Sequence, residues 1–171
     1  MALFPEKAKL TVREEHYIVA ELQRRLAYAF HAATLMEWDC RVPGGCSLKR
    51  PDLLVVFPGR YLQFEIDEDG HDDAECCEED ARLAIIAADV GLPGFVLRLN
   101  PDAPSHECFR RRQLCNGEMA LDAVEENFLR LMDRAEGSAR RFLEGPAPEG
   151  LRRVFLDARP HMGALLDERV W

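Results

Sequence analysis

Residues 51–67 read Pro51-Asp52-Leu53-Leu54-Val55-Val56-Phe57-Pro58-Gly59-Arg60-Tyr61-Leu62-Gln63-Phe64-Glu65-Ile66-Asp67. Two β-prone runs, Leu53 to Phe57 and Tyr61 to Asp67, flank a Pro-Gly pair, so the stretch reads as a hairpin. A two-residue loop (Pro58-Gly59) and a four-residue loop (Phe57 to Arg60) give the same register, with Asp52 opposite Glu65. Side chains alternate along a strand, which puts Glu65 and Asp67 on one face. Directly opposed Cβ atoms lie about 4.5 to 5.5 Å apart. The other face takes Leu53, Val55, Phe57, Leu62, Phe64 and Ile66, a continuous core pattern. Three carboxylates therefore converge. At about 5 Å they repel by roughly 1 to 3 kcal/mol per pair, which calls for a counter-charge. Mg²⁺, which takes oxygen ligands and needs only one or two protein carboxylates, would supply it. A solvated acidic hairpin end is the alternative, but Glu65 lies inside an apolar run.

On the N-terminal side, Thr11-x-x-Glu14 has capping-box spacing. Val12, Val19, Leu22, Leu26 and Phe30 then form one stripe, predicting a helix to about His31. A strand over Leu35 to Arg41 and a Pro43-Gly44-Gly45 loop lead into the hairpin. After it, a helix from Asp72 to the stop at Gly91 carries Ala74, Cys77, Ala81, Ile85 and Ala88 at core spacing, with Arg82 placed to pair with Glu78. Phe95 to Leu99 is a strand closed by Asn100-Pro101-Asp102. His106 to Cys115 has no clear periodicity. A long helix then carries Leu121, Val124, Phe128, Leu131, Ala135 and Phe142, ended by Gly145-Pro146, and Val154 to Leu156 is a last short strand. The expected organisation is one α/β domain over 1–171, with an αβββαβ core of about 11–102 and a helical extension of about 118–157.

The chain has 171 residues, 47% hydrophobic and 31% charged, enough for one folded core and too apolar for disorder. Its apolar runs are too short for a membrane span, and the start lacks a signal-peptide core, which predicts an intracellular protein, cytoplasmic or nuclear. The net charge is -9, but residues 65 to 80 hold ten acids and no Lys or Arg, leaving the remainder at +1. Basic clusters at Lys49-Arg50, Arg110 to Arg112, Arg140-Arg141 and Arg152-Arg153 could track a phosphate backbone; solvated surface is the alternative.

Arg50-Pro51-Asp52 followed by Glu65-Ile66-Asp67, on consecutive strands after an acid-bearing helix, resembles the PD-(D/E)xK endonuclease superfamily. Glu65-x-Asp67-x-x-x-His71, with Asp80, Arg82 and Arg98, is similar to its branch of very-short-patch repair endonucleases. The stretch from Gly44-Gly45-Cys46-Ser47 to Asn100-Pro101-Asp102 also resembles a group recurrent in protist and large DNA virus genomes. The resemblance implies a restriction-endonuclease-like fold with a mixed sheet, and Mg²⁺- or Mn²⁺-assisted hydrolysis of DNA, with RNA as the other substrate. Asp52 would be the central metal ligand and Glu65 the second. Asp67 stands where the superfamily usually has Lys, and His71, four residues on, is the natural proton-relaying substitute. The superfamily's first helix often adds a carboxylate. Glu15 is the expected one, because the capping box employs Glu14. The competing reading is a nuclease-fold protein without catalysis, working as a nucleic-acid-binding or protein-assembly module.

Six cysteines without a secretory signal read as free thiols or metal ligands. Cys40-x5-Cys46 and His106-x-Cys108-x6-Cys115 offer soft ligands for a structural Zn²⁺, with Cys76-Cys77 between them. Buried free cysteine is the default.

Overall fold

The computed structural model describes residues 13–68, 76–103, 105–117 and 119–157; the side chains of 76–78 lie outside this description. The element order is α1 (Glu14–Arg25), α2 (Ala27–Phe30), β1 (Leu35–Trp38), β2 (Leu53–Phe57), β3 (Arg60–Ile66), α3 (Cys76–Val90), β4 (Gly94–Asn100), β5 (Phe109–Gln113), β6 (Met119–Ala123), α4 (Glu125–Glu144) and β7 (Leu151–Asp157). Five strands form a mixed sheet in the order β1-β2-β3-β4-β7. The first three are antiparallel, and β4 and β7 are added parallel to β3 across helical connections. The αβββαβ order read from the sequence is thus present, and the segment beyond residue 118 contributes a fifth strand to the same sheet.

The hairpin has the expected register. Leu53 pairs with Phe64 and Phe57 with Arg60, so the turn is Pro58-Gly59 alone. Proline's fixed φ suits the first turn position, and Gly59 takes φ +79°, which a side chain would disfavour. Alternation then divides the sheet into two cores. Leu53, Val55, Phe57, Leu62, Phe64 and Ile66 pack with Phe95, Leu97 and Leu99 beneath α1 and α4. Leu54, Tyr61 and Val96 pack under Leu83 and Ile86 of α3. Each fully enclosed Leu or Phe contributes about 1.5 to 3 kcal/mol. At the start of β4 the Tyr61 ring lies across Gly94, where a Cβ would come within 2.0 Å of ring carbon. Only glycine fits.

Several expectations are corrected. Helix α1 begins at Glu14, with Arg13 as N-cap and no side-chain capping bond, so Glu14 is the first helical residue rather than the third of a capping box. Thr11 and Val12 lie outside the described residues. Strand β1 stops at Trp38, because Asp39 takes φ +45°. The buried stripe of α3 is Leu83 and Ile86, flanked by Ala87 and Val90; Ala81, Ile85 and Ala88 face outward. Arg82 pairs with Glu65 and Glu79, and the side chain of Glu78, its expected partner, lies outside the described residues. The segment around His106 to Cys115 supplies β5, which forms a separate ribbon with β6. Leu121 and Val124 therefore precede α4 instead of belonging to it.

The Gly44-Gly45-Cys46-Ser47 loop is tied to α3. The Cys46 and Ser47 N–H groups donate to the Asp89 carboxylate at 2.9 and 3.2 Å, and the Ser47 hydroxyl adds a third bond. Among the described residues no helix is long and apolar enough to cross a membrane.

Candidate active site

Antiparallel pairing of β2 with β3 and parallel pairing of β3 with β4 bring the start of β2 and the ends of β3 and β4 to one end of the sheet. Asp52, Glu65, Asp67 and Arg98 lie there. Asp52, one position before Leu53, comes opposite Glu65 by continuation of the ladder. Its Oδ2 accepts the Ile66 N–H at 2.6 Å, which fixes the carboxylate to the partner strand. Oδ1 has no hydrogen-bond partner among the described residues.

Glu65 is 4% exposed. Its Oε1 accepts from Gln63 Nε2 at 2.5 Å, and its Oε2 from Arg82 Nη1 at 2.6 Å. The same Arg82 nitrogen donates to Glu79, and Nη2 donates to the Arg50 carbonyl. Gln63, fully buried, leaves Oε1 without a partner among the described residues. If Glu65 is protonated, a rotated Gln63 amide could accept from it. Parity along β3 could have pointed to Gln63, since it alternates with Glu65 onto the same face.

Burial pushes the Glu65 carboxyl well above the ordinary range, and the charge of Asp52 adds to this; Arg82 and Gln63 act against it. The Asp52 carboxyl is raised in the same way, first by burial, with the charges of Glu15 and Asp67 adding and the Ile66 N–H and Arg82 opposing. One guanidinium bonds Glu65 and acts on the partly buried Asp52 only through its charge, so both carboxyls are held toward their neutral forms.

Asp67 shares the face of Glu65 as expected, but its carboxylate is turned to Arg98. The guanidinium reaches Oδ2 through Nε at 3.1 Å and Oδ1 through Nη2 at 2.7 Å, a bidentate pair with both side chains enclosed. Arg98 is the ladder partner of Glu65 on β4, so a cation does stand at this edge, delivered by the neighbouring strand. Asp80 of the same motif pairs with Arg153 of β7. These partner choices depend on parallel registers between strands far apart in sequence, and sequence reading did not supply them.

Glu15 is placed by α1 close enough for its charge to raise Asp52. Its oxygens are engaged, however, Oε1 by Trp38 Nε1 at 2.9 Å and Oε2 by Arg13 at 3.4 Å. Glu14 turns the other way. It is 2% exposed, its Oε2 has no partner among the described residues, and its Oε1 lies 3.5 Å from Arg111. Burial pushes its carboxyl up to about 7, with the charge of Asp102 adding and Arg111 opposing. His71 lies outside the described residues.

Among the described residues no three His, Cys, Asp or Glu side chains are gathered so as to hold a metal ion. Cys40, Cys46 and Cys115 are exposed and Cys108 is buried, while the side chains of Cys76 and Cys77 lie outside the described residues. The donors at Asp52 and Glu65 are oxygens, a hard pair that suits Mg²⁺ or Mn²⁺ with water completing the shell. No protein-family model, no curated protein and no solved structure matches the chain.

Proposed function

We propose that the chain is a divalent-metal-dependent endonuclease of the PD-(D/E)xK kind, acting on DNA phosphodiester bonds by nicking or by selecting a DNA structure. The observation that carries this is the Asp52–Glu65 pair: two opposed carboxyls at the end of a mixed sheet, Glu65 buried and Asp52 partly so, with one guanidinium bonded to Glu65. Buried like charges are costly unless they are neutralised. Mg²⁺ held by Asp52 and Glu65 would complete the neutralisation and polarise a bound phosphodiester. Asp52 keeps one oxygen open for such a role. Arg82, partly exposed and shared between Glu65 and Glu79, can neutralise a phosphate without leaving its place. Asp67, locked on Arg98, cannot do the work of the superfamily's lysine. His71 is the residue assigned to the proton.

A second reading has its own support. Three acids of the motif already have an arginine, with Glu65 on Arg82, Asp67 on Arg98 and Asp80 on Arg153. A cluster neutralised from within suits a nuclease-fold module that binds nucleic acid or protein without cutting. Plasmid nicking with Mg²⁺, Mn²⁺ and EDTA separates the two. The nuclease reading expects relaxed or linear product with either metal, none with EDTA, and loss of product in Asp52→Asn. Absence of cleavage on single-stranded, duplex and mismatched DNA and on RNA would leave the module.

A further inference from the structure

The β5–β6 ribbon has no place in the proposed chemistry, yet it carries three consecutive arginines. Its base is anchored: Phe109 is buried and meets the Phe128 ring at 5.4 Å and the Tyr17 ring at 5.8 Å. Cys108 N–H donates to the Pro101 carbonyl at 2.7 Å, holding that base beside the end of β4. From Arg110 to Gln113 every residue is exposed. Five ladder pairs at about 3.3 Å per residue make a ribbon roughly 16 Å long. An isolated two-stranded ribbon is marginal in water, so one kept outside the core calls for a use.

Alternation separates its faces. Phe109, Arg111 and Leu121 turn toward the body, and Arg111 reaches Glu14 at the start of α1. Arg110 and Arg112 turn outward beside Ala120 and Asp122. Asp122 is held by Arg112 at 2.9 Å, and Arg110 has no ion-pair partner among the described residues. Among the described residues of this face, one acid stands against two arginines, on a chain of net charge -9. Lys49, exposed, puts further positive charge before Asp52 at the same end of the sheet, and Arg50 beside it pairs with Asp39 at 3.6 Å.

We infer that the β5–β6 ribbon is a DNA-gripping arm, in which Arg110 and Arg112 contact backbone phosphates of a duplex whose scissile region faces Asp52 and Glu65. A two-stranded ribbon fits the roughly 12 Å width of a major groove, and local positive charge steers a polyanion even onto an acidic protein. The placement of the scissile region rests on the nuclease reading; the grip on DNA does not.

The test is binding of a labelled 25-base-pair duplex to the full chain in EDTA, followed by anisotropy over about 50 to 200 mM salt. Each phosphate contact contributes about 0.9 to the slope of log affinity against log salt. Arg110→Ala with Arg112→Ala should therefore lower the slope by about 1.8 and weaken binding roughly 10- to 60-fold near 0.1 M salt. Arg110→Lys with Arg112→Lys should retain the wild-type slope. Arg24→Ala, an exposed charge near the other end of α1, should change neither quantity. Unchanged affinity and slope in the double alanine variant would overturn the arm whether or not the protein cleaves, and so would absence of duplex binding by the wild-type chain. Ribbon-dependent binding without any cleavage would remove the nuclease reading and leave the arm standing.

Discussion

The chain builds two hairpins from similar local instructions and uses them in opposite ways. The β2–β3 hairpin is central, enclosed on both faces, and carries carboxylates at its open end. The β5–β6 hairpin is peripheral, exposed along most of its length, and carries arginines. In the first, an ion must be matched within the protein, so Asp52 and Glu65 are held toward their neutral forms and Arg82 is drawn in. In the second, water solvates the charges, and Arg110 has no ion-pair partner among the described residues. Burial decides whether a charged side chain is a structural problem or a contact surface.

The largest expected difference between the hairpins is in packing. Leu62→Ala should destabilise the protein by about 2 to 5 kcal/mol in urea titration, because α1 and α4 close over that face and leave a cavity. A loss under 1 kcal/mol would mean the central hairpin is less enclosed than described.

Arg82→Ala sharpens the comparison by leaving Glu65 without its guanidinium. The cost should reach about 3 kcal/mol at pH 8, where the stranded carboxylate must either stay charged or take up a proton. It should shrink toward zero at pH 5, where Glu65 binds a proton in the folded state anyway. A cost independent of pH would assign Arg82 to packing through its bond to the Arg50 carbonyl.

His71→Ala carries the chemical reading. Cleavage should fall on the order of 10²-fold with duplex affinity nearly unchanged, the usual effect of losing a general acid-base group. Equal loss of rate and affinity would make His71 a binding residue.

A smaller effect is expected from Asp52→Asn without metal. A carboxyl raised in the folded state binds more protons there than when unfolded. Its favourable contribution is therefore fully present below the unfolded value near 4 and is lost as pH rises through neutrality. Asparagine can still accept from Ile66 and carries no charge, so thermal melts should find the variant more stable than wild type at pH 8, by about 1 to 2 kcal/mol, and no more stable at pH 4. The opposite ordering at pH 8 would mean that Asp52 is stabilised as an anion. Metal affinity, read by calorimetry, should fall in the same variant. The smallest change belongs to the outer ribbon: Met119→Ala, more than half exposed, should stay within about 0.5 kcal/mol of wild type.

The two hairpins also differ in how well sequence exposes them. Strict alternation around Pro58-Gly59 yields the first, including its register and the shared face of Asp52 and Glu65. The second has Arg110, Arg111 and Arg112 where an apolar alternation would be sought, and Leu121 and Val124 fall by spacing onto the stripe of the helix that follows. In α3 the run Leu83 to Ala88 is apolar all round, so periodicity alone does not select a face. The sheet, through Tyr61 and Val96, selects Leu83 and Ile86. Arg98 was visible in the motif, but its bond to Asp67 requires knowing how β4 lies against β3.

That bond makes register self-checking. If β4 slid by one residue, every side chain would change faces. Arg98 would enter the layer of Leu62, Phe64 and Ile66, while Asp67 would stay enclosed without its cation. The enclosed pair would be broken, at a cost of several kcal/mol. Parallel pairing across a helical crossover forms late and offers many wrong alignments. A single ion pair, invisible to any count of surface salt bridges, rejects the nearest of them.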